Sequence, residues 1–558
     1  MKLYDHYKCK VKIEIEKAKK LWARNASCSA KQLWNVVRDF DTDKRKEPIS
    51  LLDGDHCAEK LDVVADVFQA SFSQSDVPLL QQQMPKSLSV EEISPCVNIG
   101  CVYRLLKRLD ITKSAGSDQL HPKLLRFGAS ALAEPLAHIY EESLRSGTVP
   151  KKWKLADIVP APKCKRPTFQ DLRPISLLPI PSKILERIVL DKEKQNLLRT
   201  YDTYQFAYRP GGSTTAALVT IHDKVTCILD QSDCVGVSMA AIDLSKAFDK
   251  VPHKHLVSYL RSMTSTVFLK WLTNYLSDRC FRVSYSGCYS TLRTILSGVP
   301  QGSIIGLYLF ASYMSGLQPT TDKVWYMKYA DDITVIQPLS RSGYDPFTEN
   351  ELPHIRAWIS AKGLILNEKK TKRIVFSKSC LLSFPNISCD HSLKILGVTF
   401  SCDLRWKIHI DAIVRLSSSR LHLLRLLKPI LCTKDLVVVY NSIIVSVLTY
   451  ASPVFIGLNV NLSEALERVQ RRAHRVICGS HCGCDAFSAI SVIRLQQAMK
   501  LMRSAEMFPY HPLHNLVPQR LPHTNVFQQP PANTDRRLRS FVPFTTRVMC
   551  MKTSSFDL

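Results

Sequence analysis

The stretch from Val324 to Ile336, VWYMKYADDITVI, constrains the fold more than any other part of the chain. Two runs of apolar, aromatic and β-branched residues flank one pair of adjacent carboxylates, Asp331 and Asp332. That pattern reads as a strand, a tight turn and a second strand. Adjacent like charges at a hairpin tip repel, and the turn itself does not require them. A hard divalent cation such as Mg²⁺, which prefers carboxylate oxygens, relieves the repulsion. Taken alone, the dipeptide is better explained as a solvated acidic turn.

Context reverses that reading. Upstream, Met239 to His253 reads MAAIDLSKAFDKVPH, in which Asp243 closes a run with the look of a buried strand and Phe248 follows five positions later. Carboxylates on neighbouring strands can share two cations about 3.5–4 Å apart, the arrangement used for in-line displacement at phosphorus. Between the two acidic sites lies SGVPQGS, Ser297 to Ser303. Its glycines are expected to let backbone approach a ligand, and Ser303 to cap a helix running through Ile304 and Leu309.

Composition limits the partners. The 558 residues, 45% of them hydrophobic, suffice for about three or four domains with real cores and exclude a disordered tail. The 75 Lys and Arg against 49 Asp and Glu give a net charge of +26, which favours a polyanion, either nucleic acid or an acidic membrane surface. Eighteen cysteines are scattered from Cys9 to Cys550, and no secretory segment follows the start MKLYDHYKCK. Reduced thiols and an intracellular location, nucleus or cytoplasm, are therefore expected. Cys478, His481, Cys482 and Cys484 form a single knuckle without a second pair nearby, so zinc is not expected. Leu436 to Ser463 carries no charge, but Asn441, Ser442, Ser446, Ser452 and Pro453 interrupt it; it reads as buried helices, not as a membrane span. Near the N-terminus, Ser29 and Gln32 before Leu33, Trp34, Val36 and Val37 predict a capped amphipathic helix. Lys17 to Lys20 read as a solvated face, and Lys44, Arg45 and Lys46 are too short a run for an import signal.

The three acidic and glycine-bearing pieces, in this order, resemble the palm of reverse transcriptases, and their wording is most similar to non-LTR (LINE-type) retrotransposons. GSDQLHPKLL (Gly116 to Leu125), DLRPISLLPIPSKILERIV (Asp171 to Val189), QFAYRPGGSTTAAL (Gln205 to Leu218), LNEKKTK (Leu366 to Lys372), KILGVTF (Lys394 to Phe400) and LERVQRRAHRVI (Leu466 to Ile477) resemble blocks of that family in their usual order. The resemblance implies an α/β (α+β) right-hand polymerase fold: fingers and palm, then a helical thumb and a helical C-terminal region. It implies an N-terminal region over 1–112, fingers and palm over 113–400 with the core at about 144–400, thumb and connection over 401–480, and a basic extension over 481–558.

For the site, the resemblance implies Asp243, Asp331 and Asp332 as catalytic residues, with Asp243, Asp331 and the backbone carbonyl of Leu244 as metal ligands. Arg173 matches an arginine that contacts the incoming triphosphate, and Lys163 is a second candidate for that duty. Phe248 matches the aromatic gate that excludes a ribose 2′-hydroxyl, Gln301 is expected near nucleotide and template, and Lys369 or Lys370 falls where the family carries a lysine proposed to protonate pyrophosphate. Arg415, Arg420, Arg425, Arg468 and Arg472 lie on helices expected to follow the nucleic-acid backbone. Gly211 and Gly212 are expected either to approach the template or to form a simple turn. The implied activity is RNA-templated DNA synthesis from a primer 3′-hydroxyl with deoxynucleoside triphosphates and Mg²⁺, or alternatively Mn²⁺; the partners are an RNA template and a DNA primer, with no membrane.

Two departures bear on this. Gly306 is followed by Leu307 and Tyr308 where relatives usually continue with Gly-Pro, and nothing resembling an endonuclease precedes the polymerase blocks. A truncated or fragmentary reading frame is the expectation. A decayed copy that folds and binds RNA without polymerising is the alternative, and a maturase or telomerase-like polymerase is third.

Overall fold

The computed structural model describes residues 33–34, 37, 52, 57–73, 90–164, 166–340, 345–378, 387–479, 488–521 and 526–553. Helices α1 (Cys57–Ser71), α2 (Ile99–Lys107) and α3 (Ala129–Ser146) precede a hairpin of β1 (Leu155–Pro162) and β2 (Leu172–Leu177). Asn98 starts α2 by accepting the N–H of Cys101, and Gly147, at φ 71°, ends α3 in the left-handed conformation usual for a helix stop. Helices α4 (Ile180–Arg199) and α5 (Thr214–Asp230) follow, and Ser213 caps α5 by accepting from Ala216 N–H at 3.1 Å.

Next come β3 (Gly236–Ile242), α6 (His253–Leu260) and α7 (Thr266–Leu276), then β4 (Arg279–Tyr285), β5 (Cys288–Tyr289) and β6 (Arg293–Ile295). Helix α8 (Gly306–Tyr313) leads into β7 (Trp325–Tyr329) and β8 (Asp332–Leu339), followed by α9 (Leu352–Ala361) and β9 (Lys372–Ser377). A hairpin of β10 (Ser392–Ile395) and β11 (Val398–Ser401) precedes the helices α10 (Lys407–Leu427), α11 (Thr433–Tyr440), α12 (Val460–Cys478), α13 (Ile490–Met507) and α14 (Phe541–Thr553).

The central sheet is antiparallel, in the order β7-β8-β3-β9. Strand β3, GVSMAAI, is buried on both faces: Val237 and Met239 join the core beneath α5 and the C-terminal helices, while Ala240 and Ile242 join the core of α4, α6, α7 and α8. That double burial is why its sequence reads as a continuous small and apolar run instead of alternating.

The second sheet joins strands from both sides of β3 in the chain. Strand β1 pairs with β2 antiparallel but also with β4 in parallel, and β5 and β6 join through β4, so residues after β3 return to complete the sheet. A two-stranded hairpin alone would leave Ala156 and Ile158 uncovered; Phe281 and Val283 of β4 and Leu61, Val64 and Phe68 of α1 close that core. Helix α1 is tied down polar atom by polar atom: Asp62 accepts from the N–H and hydroxyl of Thr291 at 2.9 and 2.6 Å, Asp66 pairs with Arg293 at 2.9 Å, and the carbonyl of Phe72 accepts from Leu296 N–H at 3.2 Å.

In the C-terminal helices, Leu421, Leu424 and Leu427 of α10 and Leu466, Val469 and Ala473 of α12 are buried in one core, as their spacing predicts. The uncharged stretch from Leu436 breaks into α11, a π-helical turn at Asn441–Val445 and a 3₁₀ turn at Ser452–Phe455, packed inside the protein. Among the described residues no helix is long and apolar enough to cross a membrane. Leu33 and Val37 of the predicted N-terminal helix are buried in the same core. Ser29, Gln32, Val36, Lys17 to Lys20, Lys44 to Lys46, and His481, Cys482 and Cys484 lie outside the described residues.

Candidate active site

The β7–β8 hairpin forms as its sequence predicts. Tyr329 pairs with Asp332, which leaves Ala330 and Asp331 as a two-residue loop. Ala330 sits at φ 56°, a conformation that favours glycine and costs an alanine of order 1 kcal/mol. Surrounding contacts hold it there. Gln205, fully buried, accepts the N–H of Ala330 at 3.2 Å and that of Ala207 at 3.0 Å through Oε1. The adjoining backbone exchanges two bonds with the edge of β7, Lys328 N–H to the Tyr204 carbonyl and Phe206 N–H to the Lys328 carbonyl, both at 2.8 Å. Lys328 itself is buried, paired with Asp202, and donates to the carbonyl of Leu317 at 2.8 Å.

Register then brings the upstream acid across. Ile242 of β3 pairs with Ile333 of β8, so the next residue, Asp243, falls beside Asp332. Asn367 anchors Asp243 twice, donating Nδ2 to its Oδ2 at 2.9 Å and its N–H to the Asp243 carbonyl at 2.8 Å. The bridge between Leu244 and Leu366 is made by their neighbours' atoms, including Ser245 N–H to the Ile365 carbonyl at 2.8 Å. In an antiparallel pair of that kind the residue's own N–H and C=O face the other way, so those of Leu244 point away from Leu366. Lys370 places its ammonium 4.0 Å from Asp243.

The carboxylates feel one another. Burial pushes the Asp331 carboxyl up, the charge on Asp243 adds to that, and Arg173 opposes it. Asp332 keeps an exposed edge, yet desolvation by the surrounding protein, then the charges of Asp331 and Asp243, push it up to about 6. Three acids from two strands therefore converge, and apart from Lys370 no described residue forms an ion pair with them. Among the described residues no three His, Cys, Asp or Glu side chains form a ready-made metal cage. An oxygen-only pair of carboxylates with a backbone carbonyl beside it suits a hard cation that completes its shell with substrate and water oxygens.

Around this centre, Arg173 on β2 is exposed, makes no ion pair with any described residue, and is close enough for its charge to act on Asp331. Lys163, also exposed, ends the β1–β2 hairpin. Phe248 is partly buried and stacks on Phe310 of α8, with ring centroids 4.0 Å apart and planes at 18°.

SGVPQGS is tied to β2 and to the segment around Asp249. Gln301 gives its amide to Asp249 at 2.7 Å and its carbonyl to Ser176 N–H at 2.8 Å, so it braces β2 and the Asp249 turn. A Cβ on Gly298 would lie 2.7 Å from the Asp249 carbonyl and one on Gly302 2.4 Å from the Ser176 carbonyl. The glycines thus admit neighbouring backbone on that side. Ser303 does cap the following helix, accepting Gly306 N–H at 2.9 Å, within a buried knot in which Glu186 accepts from the Ser303 hydroxyl at 2.8 Å, Ile304 N–H at 2.7 Å and the Tyr275 hydroxyl at 2.8 Å. The missing proline after Gly306 leaves α8 intact.

Farther out, Arg415 and Arg425 on α10 and Arg468 and Arg472 on α12 are exposed. Arg420 departs from expectation: it is partly buried and donates to the Ile443 carbonyl at 2.5 Å, satisfying an acceptor that the π-helical turn frees. Gly211, at φ 71°, makes a turn packed on the ring of His511, where a Cβ would come within 2.6 Å. Gln205, Asn367, Lys328 and Asp202 do not stand out in the sequence as site residues. Lys328 alone carries a signal, a charge in the middle of an apolar strand.

Residues 161–400 match the family model described as Reverse transcriptase (RNA-dependent DNA polymerase), which spans every residue of the centre described above. The chain is similar to the RNA-directed DNA polymerase from mobile element jockey of Drosophila melanogaster, 29% identical over 421 residues that cover 68% of this chain and 44% of that protein. It is 27% identical over 378 residues to the probable RNA-directed DNA polymerase from transposon BS of the same fly, covering 64% and 40%. Against the Retrovirus-related Pol polyprotein from type-1 retrotransposable element R1 of Bradysia coprophila it is 25% identical over 345 residues, covering 59% and 33%. The chain spans less than half the length of these curated relatives. Residues 161–400, with their paired strands and converging acids, are thus similar to the reverse transcriptase family, and the chain is similar to RNA-directed DNA polymerases of mobile elements.

Proposed function

We propose that this chain is an RNA-directed DNA polymerase of a LINE-type retroelement, extending a primer 3′-hydroxyl on an RNA template with deoxynucleoside triphosphates. The observation that carries the reading is the convergence of Asp243 with Asp331 and Asp332 across the paired strands β3 and β8. In this reading a divalent metal pair, Mg²⁺ by preference or Mn²⁺, supplies activation of the primer hydroxyl and charge to hold the phosphates.

Asp243, Asp331 and the Leu244 carbonyl would hold the metal, and Asp332 would add negative charge beside them. Asn367 fixes the rotamer of Asp243, and Gln205 fixes the turn that presents Asp331. Arg173, unpaired with any described residue, clamps the triphosphate through its guanidinium fork, with Lys163 beside the same path. Lys370, within 4.0 Å of Asp243, is favoured over Lys369 as the donor of a proton to departing pyrophosphate. The ring of Phe248, held against Phe310, blocks a 2′-hydroxyl. Arg415, Arg425, Arg468 and Arg472 contact template and primer backbone, on helices that serve as thumb and connection after fingers and palm at 113–400.

Primer extension on an RNA template with Mg²⁺ tests the reading. The wild-type chain is expected to extend, and Asp243→Asn to lower the rate at least ~10³-fold, the scale on which a group acting only in the transition state is felt. If the wild type extends no better than Asp243→Asn, the polymerase reading fails and an RNA-binding, catalytically decayed chain remains.

A further inference from the structure

The end of α13 carries a surface that folding does not explain. Its inner face, with Arg494, Ala498, Met502 and Ala505, is buried, yet the chain then exposes Met507 at 71%, Phe508 at 56% and Tyr510 at 79%. Contiguous large apolar side chains in water mark a binding surface more often than a lone one does. Beside them Gln496, Met499, Lys500, Arg503, Met507 and Phe508 line an open groove of about 520 Å³.

The groove has a sign. Lys500 and Arg503, three positions apart and so on one helical face, are exposed and form no ion pair with any described residue. The nearby carboxylate that could offset them, Glu506, is already paired with Arg520 at 2.6 Å. Aromatic faces next to two uncompensated cations match an unpaired polynucleotide, whose bases stack on rings and whose phosphates pair with Lys and Arg.

Its place agrees. The Phe508 carbonyl accepts from His511 N–H at 2.8 Å, and the ring of His511 packs on Gly211. Gly211 is three residues from Tyr208, which lies near enough to Asp331 to feel its charge. Short peptide spans of at most ~3.8 Å per residue, one packing contact and one through-space step connect these points, so the platform lies within roughly 40 Å of the catalytic turn. At ~3.4 Å per nucleotide that is at most about twelve nucleotides of strand.

We propose that Phe508 and Tyr510, with Lys500 and Arg503, form a stacking platform for single-stranded nucleic acid running to or from the palm. The identity of that strand rests on the polymerase reading; the binding itself does not.

The test uses the full chain and a fluorescein-labelled single-stranded RNA of about 20 nucleotides. Phe508→Ala with Tyr510→Ala is expected to weaken binding roughly ten-fold or more. Lys500→Gln with Arg503→Gln is expected to flatten the slope of log affinity against log salt by about 1.4, near 0.7 for each phosphate left unneutralised. Photocrosslinking of wild-type chain to the same RNA carrying 4-thiouridine is expected to label the peptide spanning residues 500–510, a result independent of how the variants fold. Affinity within two-fold and an unchanged slope, or crosslinks only elsewhere, overturns the proposal and assigns the patch to a protein partner. A chain that binds here but does not extend primers sinks the polymerase reading and keeps the platform; one that extends while both variants bind like wild type does the reverse.

Discussion

Asp249 shows how a single buried acid can report on the palm. It is 2% exposed, accepts the Gln301 amide, and is pushed up to about 6 by burial, with the Gln301 hydrogen bond and Lys246 pulling the other way. A carboxyl raised on folding binds its proton more tightly in the native state, so its contribution is full below the unfolded value near 3.8 and is lost as pH rises through about 6. Asp249→Asn keeps an oxygen for Gln301 and removes the charge. It is expected to stabilise the chain at pH 7.5 by up to about 3 kcal/mol in urea unfolding, with the gain vanishing as pH falls from about 6 to about 4.

Phe248 makes a second residue-scale prediction. Shortening its ring to Val should raise ribonucleotide incorporation relative to deoxynucleotide by about 10–200-fold, the range that modest changes in pocket size command; unchanged sugar selectivity in single-nucleotide extension would remove the gate. The carboxylates and Phe248 are legible in the sequence because each sits at a fixed offset from an apolar strand. Gln205 and Asn367 are not, since one amide in a loop has no period, and its role emerges only once Ala330 and Asp243 are placed against it.

Among the elements, α8 depends on one carboxylate. Glu186 on α4 receives three donors at the start of α8, from Tyr275, Ser303 and Ile304 N–H. Glu186→Leu removes the acceptor the three share, leaving Tyr275 only the Ser303 hydroxyl at 3.2 Å, and is expected to cost about 3–5 kcal/mol, against about 1 kcal/mol for Tyr275→Phe, by chemical denaturation. The hairpin of β7 and β8 is readable from alternation and from a two-residue break, and β3 from its unbroken apolar run. The joining of β4 to β1 is not, because a parallel pairing between strands on either side of β3 leaves no local mark in sequence. The glycines of SGVPQGS are legible only in part: glycine announces that something approaches closely, but the sequence does not name the Ser176 carbonyl as one such neighbour.

On the scale of the whole molecule, the charge of +26 acts through particular arginines. Arg415, Arg425, Arg468 and Arg472 are exposed, whereas Arg420 is spent on the Ile443 carbonyl. Replacing the first four singly with Gln is expected to reduce the salt slope of primer–template binding by about 0.9 for each phosphate that an arginine no longer neutralises, while Arg420→Gln should lower stability with the slope unchanged. The core between α1 and the β1–β2–β4 sheet also determines how the chain can be divided. Helix α1 lies far outside residues 161–400, yet Leu61, Val64 and Phe68 are the wall against which Phe281 and Val283 rest. A protein trimmed to the recognisable polymerase segment would bare that greasy sheet to solvent and stick to its own copies, so the smallest well-behaved piece has to start before Cys57.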